Sequence, residues 1–388
     1  MKALVAALVR VLLYPTLLVS CAGPLAASSA VAAEPIKVGA VLPFSGGVEL
    51  YGQQAKLGLD LAAKEINAAG GIAGRPLTIL YEDDKTDPEV AERATRTLIE
   101  RDRVLAIIGP ITSRNLNAIK PTIERARTPL LYATNYEGGA CSRYIFSFSS
   151  VPNQELVPLL PYMHKTFGAS FFLLGADRTW PHKMFEAAEP LISRLGSQVV
   201  GKEYTTGTET DFAPLIDRIA ATKAKVLLFA LKGDGLNFIP QADDRGLMKQ
   251  TTVAFLGLSE TDLPVFHGKG QNMFVVVPFV AASDEPSVKA FVAKARREAG
   301  AEVVVSNYVM THYNALIALK SALVKSGKVD KEALVNALEG LVIPSPTGRV
   351  TIGKNHHVTM NMFMAQTQGA SLVQVQALGE IVPDPGCK

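Results

Sequence analysis

The sequence predicts an α/β protein of two doubly wound lobes with a ligand cleft between them. Three observations carry that expectation. Short apolar runs and helix-period segments alternate regularly between residues 36 and 150, the pattern of a parallel sheet covered by helices. A second alternating series begins at Ser170. The chain has 388 residues, too many for a typical single domain, so two lobes are the expected division.

The first series reads in order. Ile36 to Leu42 is a strand by its β-branched content and its Gly and Pro punctuation. Tyr51 to Ala69 is a helix, with Ala55, Leu59, Ala62, Ala63 and Ile66 at helical spacing. Leu77 to Tyr81 is a strand. Asp87-Pro88 reads as N-cap and first residue of a helix running from Glu89 to Arg101. The stretch from Leu105 to Gly139 is the centre of the series. Leu105 to Ile108 is a buried strand ending in Gly109-Pro110. Ser113 opens a helix whose Leu116, Ile119, Ile123 and Ala126 share a face, so Ser113 reads as its N-cap. Leu130 to Tyr132 is the next strand. Loops at the carboxyl ends of such strands are where open α/β sheets bind ligands, and a helix N-terminus there favours a polar or anionic group. Ala133 to Gly139 opens on the same rim.

In the second series, strands are expected at Ser170–Leu174, Gln198–Tyr204, Lys225–Leu231, Val253–Leu256 and Met273–Val277. Helices are expected at Lys183–Leu195, Phe212–Ala221, Asn237–Asp244, Pro286–Gly300, Asn307–Lys325 and Lys331–Glu339. Residues 348–378 read as β-rich.

Composition narrows function. A net charge of +3 on this length, with no long basic run, gives no reason to expect nucleic acid. Residues 1–33 read as an export segment: Lys2 and Arg10 lead, Val11 to Val19 is largely apolar, and Val31-Ala32-Ala33 offers small residues for cleavage. Leu18-Val19-Ser20-Cys21 also resembles a bacterial lipoprotein cleavage box, so Cys21 is either a lipid-bearing residue or an incidental one in a removed peptide. In an exported chain the remaining pair, Cys141 and Cys387, suggests one disulfide, with two free thiols as the alternative.

Enzyme signatures are missing. There is no phosphate-binding G-x-x-x-x-G-K-[ST], no H-E-x-x-H, no G-x-G-x-x-G after the first strand, no G-x-S-x-G and no C-x-x-C. His356 and His357 are adjacent. On a strand they would face opposite sides, so they are expected at the surface or the lobe junction rather than on a metal.

The phrases IKVGAVLPFSG, LGLDLAAKEINAAGGIAGRPL, YEDDKTDPEVA and IIGPITS resemble the type I periplasmic binding proteins of the branched-chain amino acid and amide uptake class. More narrowly, TNYEGG, VPNQ, GADRTWP and SPTGRVTI with the histidine pair resemble its urea and short-amide branch. The resemblance implies lobes joined by three crossovers that close on a small ligand by a hinge. Lobe one would be 34–150 plus 280–356, and lobe two 151–279 plus 357–388. It implies a periplasmic, non-enzymatic monomer without cofactor that binds a small solute and serves the membrane permease of an ABC importer. A cytoplasmic regulator of amide metabolism is the alternative.

Site candidates follow. Ser113 and the N–H groups of its helix are expected to take a carbonyl or carboxylate oxygen, unless Ser113 is a plain cap. Thr134, with the backbone around Tyr132, matches the family segment that holds the ligand's polar head; a hydroxyl satisfying its own backbone is the alternative. Tyr136 and Glu137 are expected to be structural. Trp180, the sole tryptophan, sits in a loop and is expected to be an aromatic lid. Arg178 departs from the amide branch, which has an aromatic residue there; it reaches an anion or pairs on the surface. Asp234, beside Lys232, is expected on the lobe-two rim. Glu260 lies where amino-acid binders place a carboxylate for an ammonium group, or is a helix-start residue. Tyr51 is a wall of the cleft or a helix residue packing on lobe one.

Overall fold

Apart from Lys37 at its exposed start, Ile36-Lys37-Val38-Gly39-Ala40-Val41-Leu42 is apolar on both faces, so as a strand it is stable only inside a sheet covered on both sides. That sheet is present. The structure, a computed structural model, describes residues 34–206 and 209–387. The export segment and Cys21 lie outside the described residues.

The first part of the chain runs β1 (Ile36–Leu42), α1 (Glu49–Ala68), β2 (Leu77–Asp83), α2 (Pro88–Glu100), β3 (Ile107–Ile108), α3 (Ser113–Arg125), β4 (Leu130–Tyr132) and β5 (Ile145–Ser147). Its strands form one parallel sheet in the order β2-β1-β3-β4-β5. The chain winds outward both ways from β1, which puts the carboxyl ends of β1 and β3 at the switch point. Asp87 caps α2, accepting from Glu89 N at 2.9 Å and Val90 N at 3.0 Å, with Pro88 behind it. Helix α3 is capped one residue earlier than the sequence suggests: Thr112, not Ser113, accepts from Asn115 N. The Ser113 hydroxyl is engaged elsewhere, as described below.

A helix forms where the periodicity announces none, α4 (Pro152–Phe167). Pro158 and Pro161 lie inside it and mask the pattern. Each interior proline costs about 3 kcal/mol. Leu156, Leu159, Leu160 and Met163 are fully buried, and each returns roughly 1.5–3 kcal/mol. Pro152 stands at the first turn, where its missing N–H is harmless, and Gln154 Oε1 accepts from Val151 N at 3.1 Å.

The chain continues through β6 (Ser170–Ala176), α5 (Thr179–Arg194), β7 (Gln198–Thr205), α6 (Ala213–Thr222), β8 (Val226–Ala230), α7 (Phe238–Asp244), β9 (Thr252–Phe255) and β10 (Phe274–Val277). Then come α8 (Pro286–Ala299), α9 (Asn307–Ser326), α10 (Lys331–Leu338), β11 (Val342–Ser345), β12 (Gly348–Ile352), β13 (Val358–Gln368) and β14 (Ser371–Ile381). The second sheet has the order β11-β12-β13-β10-β9-β8-β6-β7, with β14 also on β13. Strands β7, β6, β8, β9 and β10 are parallel; β13 turns the sheet antiparallel. Helix α5 begins at Thr179, so Trp180 is in its first turn rather than in a loop. Helices α8 and α9 return to pack on α1. There Gly58 is required by a close approach, since a Cβ would stand 2.2 Å from Val309 O.

His356 and His357 are buried in the turn before β13, not laid along a strand. His356 bonds Ser142 O at 2.9 Å and Glu339 Oε1 at 3.0 Å, while His357 bonds the Tyr136 hydroxyl at 2.6 Å. The pair thereby fixes the loop after β4 to the passage into the second sheet. Cys141 in that loop is bonded to Cys387, with Cα atoms 5.5 Å apart. Gly139 N donates to Pro385 O at 2.8 Å alongside it. Among the described residues, no helix is long and apolar enough to cross a membrane.

The bridge closes a loop of 246 residues, so it constrains the unfolded chain strongly. Replacing both cysteines by serine is expected to cost about 2–5 kcal/mol in urea denaturation and to leave the fold intact. A variant as stable as the parent would show that the tail is held by its hydrogen bonds alone.

Candidate functional site

The parallel strands of both sheets end on the same cavity. Loops at strand carboxyl ends expose backbone N–H groups and short polar side chains, because no further strand pairing is available to them. The cavity is about 360 Å³. The first sheet contributes Gly46 to Val48 after β1, Thr86 after β2, Ile111 to Arg114 after β3, and Thr134 and Asn135 after β4. The second contributes Ala176 and Arg178 to Pro181 after β6, with Ala230 and Lys232 to Asp234 after β8. Tyr51 of α1 and Tyr308 of α9 complete the wall, their rings 5.0 Å apart.

The two sides touch. A Cβ on Gly233, whose φ is 58°, would stand 2.7 Å from Gly47 O. A Cβ on Gly257 would be 3.1 Å from Asn135 Nδ2 and 3.5 Å from the Trp180 ring. Glycine at these positions lets the two rims meet.

Of the residues singled out from sequence, Ser113, Thr134, Arg178, Trp180 and Asp234 line the cavity, together with Tyr51 and Lys232. Their environments differ. The Thr134 hydroxyl and the Trp180 indole nitrogen are buried without a hydrogen-bond partner. Ser113 Oγ donates to Glu137 Oε2 at 2.5 Å. Burial pushes the Glu137 carboxyl up, and the Ser113 bond offsets part of that rise. Arg178 and Asp234 are exposed at the mouth, where Arg178 donates to Asp177 O at 3.0 Å. Arg114, also at the mouth, donates to Thr86 O at 2.8 Å.

Two candidates are elsewhere. Tyr132 is fully buried behind the cavity, packed edge-on against Tyr136, and its hydroxyl donates to Ile111 O at 3.1 Å. Glu260 does not line the cavity; its Oε1 accepts from Ala281 N at 2.7 Å. The cause is a tight turn, Asp262 N to Ser259 O at 3.0 Å, that points Asp262 toward the cleft and Glu260 away from it.

Asp262 organises this side of the site. It is fully buried and accepts from Lys232 Nζ at 2.7 Å, Ser259 N at 2.8 Å and the Tyr51 hydroxyl. Tyr51 belongs to the first sheet's helices, so this bond crosses the cleft. Burial, and then the Asp262 charge, hold the Tyr51 phenol well above its usual range, so it stays a donor. Lys232 Nζ also donates to Gly257 O at 2.7 Å and lies 5.1 Å from the Tyr51 ring centre. Sequence reading noticed Lys232 only as a rim residue and gave no sign of Tyr308, which arrives from a helix far along the chain. Among the described residues no cluster of three His, Cys, Asp or Glu side chains could hold a metal.

A donor-lined cleft between two doubly wound sheets suits a small-molecule ligand. The chain belongs to the periplasmic binding protein family, whose model matches residues 35–371. It is 25% identical over 335 residues to the Leu/Ile/Val-binding protein BraC3 of Rhizobium johnstonii, covering 84% of this chain and 90% of that one. The Leu/Ile/Val-binding protein homolog 6 of Brucella suis is 22% identical over 354 residues, covering 89% and 90%. A solute binding protein of an ABC transporter from R. palustris, solved with 4-hydroxybenzoate, superposes with a TM-score of 0.80 at 22% identity over 90% of this chain and 97% of that one. The branched-chain amino acid transporter substrate binding protein of Streptococcus pneumoniae, solved with isoleucine, also gives 0.80, at 18% identity over 90% and 100%. The relatives are binding proteins, and this chain is a binding protein, not an enzyme.

Two buried carboxyls behind the site generate a pH dependence. Glu155 accepts from Ser150 Oγ at 2.6 Å and Asn135 Nδ2 at 3.2 Å, and burial pushes it up to about 7. Burial likewise pushes Glu260 up to about 7. Folded, both keep their protons to about pH 7; unfolded, they release them in the ordinary glutamate range. The folded state therefore binds more protons across that window, so stability falls as pH rises through it and levels off above it. Glu155→Gln and Glu260→Gln are each expected to flatten the fall, by on the order of 1–3 kcal/mol between about pH 5 and about pH 8. Urea denaturation at the two pH values reads this; an unchanged slope in both variants would mean neither carboxyl is protonated in the fold.

Proposed function

We propose that this protein is the periplasmic solute receptor of an ABC importer, binding one small solute with a carboxylate or carbonyl head and delivering it to a membrane permease. The observation that carries this is the pair of buried, unpartnered groups in the cavity wall, Thr134 Oγ1 from the first sheet's side and Trp180 Nε1 from the second's. A buried polar group without a partner costs about 1–3 kcal/mol, and a bound solute bridging both sides recovers it on closure. The first turn of α3, with Ser113 at its start, adds unbonded N–H groups for an oxygen head. Lobes of 34–150 plus 280–356 and 151–279 plus 357–388 are proposed to close as rigid bodies about the strand passages near residues 150, 280 and 356. Export through residues 1–33 fits this role, with a Cys21 lipid as a further tether.

An amino acid or a larger carboxylate fits better than urea. The cavity of about 360 Å³ is far larger than urea fills. The TNYEGG phrase that suggested amides is structural at Tyr136, which bonds His357, and at Glu137, which takes Ser113. The relatives' names and bound solutes, leucine-type amino acids and 4-hydroxybenzoate, are carboxylates. A cytoplasmic regulator is not favoured, because the matching family is periplasmic.

Trp180 is the sole tryptophan, so its fluorescence reports the cavity. Titrating the mature protein with amino acids, aromatic acids, dicarboxylates, acetamide and urea is expected to give a saturable change with a carboxylate. Thr134→Val is expected to weaken that ligand about tenfold by calorimetry. Absence of any binding by fluorescence and thermal shift across the panel would overturn the receptor role. A separate expectation concerns closure: Gly233→Ala places a Cβ against Gly47 O and, at a φ of 58°, strains the backbone, so it is expected to lower stability by about 1 kcal/mol and to weaken the same ligand more than Gly246→Ala, which carries similar strain away from the cavity. Undiminished affinity would show that the rims need not meet.

A further inference from the structure

We infer that Lys232 makes this cavity selective for an acid that carries a second oxygen acceptor and no free amine. The inference rests on the receptor role proposed above and specifies its ligand. It follows from counting the polar groups that the wall leaves open.

An ammonium group has three N–H bonds and accepts nothing. Lys232 donates one to Gly257 O and one to Asp262 Oδ2, both at 2.7 Å, and its side chain is 18% exposed on the cavity wall. One N–H is left for the cavity. The Trp180 indole adds a second group that only donates, and the Thr134 hydroxyl is also open. The interior carboxylates are committed or turned away. Both oxygens of Asp262 are taken by Tyr51, Lys232 and Ser259. Glu137 takes the Ser113 hydroxyl, Glu155 is sealed behind Asn135, and Glu260 faces Ala281. Asp234 alone is free, and it lies exposed at a mouth that also carries Arg114 and Arg178.

A ligand ammonium entering this interior meets a lysine and the Trp180 donor, and exchanges its water for neutral acceptors such as the Thr134 hydroxyl, with no free carboxylate to balance its charge. An oxygen in the same place receives a charge-assisted bond. With one carboxylate at α3 and Thr134, the complementary solute presents a second acceptor, carboxylate, oxo or hydroxyl, to Lys232 and Trp180. The Tyr51, Tyr308 and Trp180 rings cover what lies between.

The test is calorimetry on the mature chain with two matched sets: glutarate, pentanoate and 5-aminopentanoate, and 4-hydroxybenzoate, benzoate and 4-(aminomethyl)benzoate, with leucine and isoleucine beside them. In whichever set binds, the oxygen-bearing member is expected to bind about tenfold or more tighter than the apolar one, and the amine weakest. Lys232→Met is expected to erase the oxygen preference, so that glutarate or 4-hydroxybenzoate binds no tighter than pentanoate or benzoate to the same variant. Because that change strands Asp262, the double variant Lys232→Met/Asp262→Asn is measured in parallel. Tightest binding of leucine, isoleucine or an amine-bearing member, with Asp234→Asn abolishing it, would overturn the inference and leave the receptor role standing. A preference that survives in both Lys232 variants would overturn it too. No binding by any member, nor by acetamide or urea, would overturn the receptor role and this inference together.

Discussion

A carboxylate taken wholly out of water must be surrounded by donors, and Asp262 is such a carboxylate. Its donors come from three places: the backbone of its own turn, Lys232 after β8, and Tyr51 on α1. Much of the site follows from this. The turn that aims Asp262 at the cleft turns Glu260 to the back. The lysine recruited to neutralise Asp262 becomes part of the cavity wall. The tyrosine that completes the shell ties one sheet's helices to the other sheet's loops. Where the rims meet, glycines at 233 and 257 replace side chains that would hold them apart.

The other buried carboxyls solve the same problem by a different route. Glu155 and Glu260 have no cation in hydrogen-bond contact, and burial favours their protonated forms. They sit behind the cavity, near the passages between sheets, where the His356–His357 turn and the Cys141–Cys387 bridge also converge on the loop after β4. The site thus has a stiff, cross-linked back and a front whose polar groups are left open. That division suits a receptor that closes on a solute: the frame holds position while Thr134, Trp180 and Lys232 wait for partners.

Structures sharing this fold at a TM-score of 0.80 hold ligands as different as isoleucine and 4-hydroxybenzoate. The fold supplies the cleft and the strand ends; a few side chains choose the occupant. In this chain the choice lies in which carboxylates are spent on the protein itself, and that is a property of hydrogen bonding rather than of topology.

The sequence by itself determined the parallel α/β alternation, the Asp87-Pro88 helix start, and the location of the cavity-lining loops after β3, β4, β6 and β8, because apolar periodicity and turn residues act over a few positions. Helix α4 escaped, since its two interior prolines argue locally against a helix that only tertiary burial of four apolar side chains stabilises. The cap of α3 was displaced by one residue because Ser113 had a distant partner, Glu137. Side-chain direction at the site was decided by tertiary structure alone. Tyr132 and Asp234 have the residue types of ligand contacts, yet one is sealed in the core and the other stands at the mouth. Glu260 and Asp262 lie two residues apart, and nothing in their local sequence tells which one finds Lys232 and Tyr51. Those partners are distant in the chain, and only packing of the two sheets brings them together.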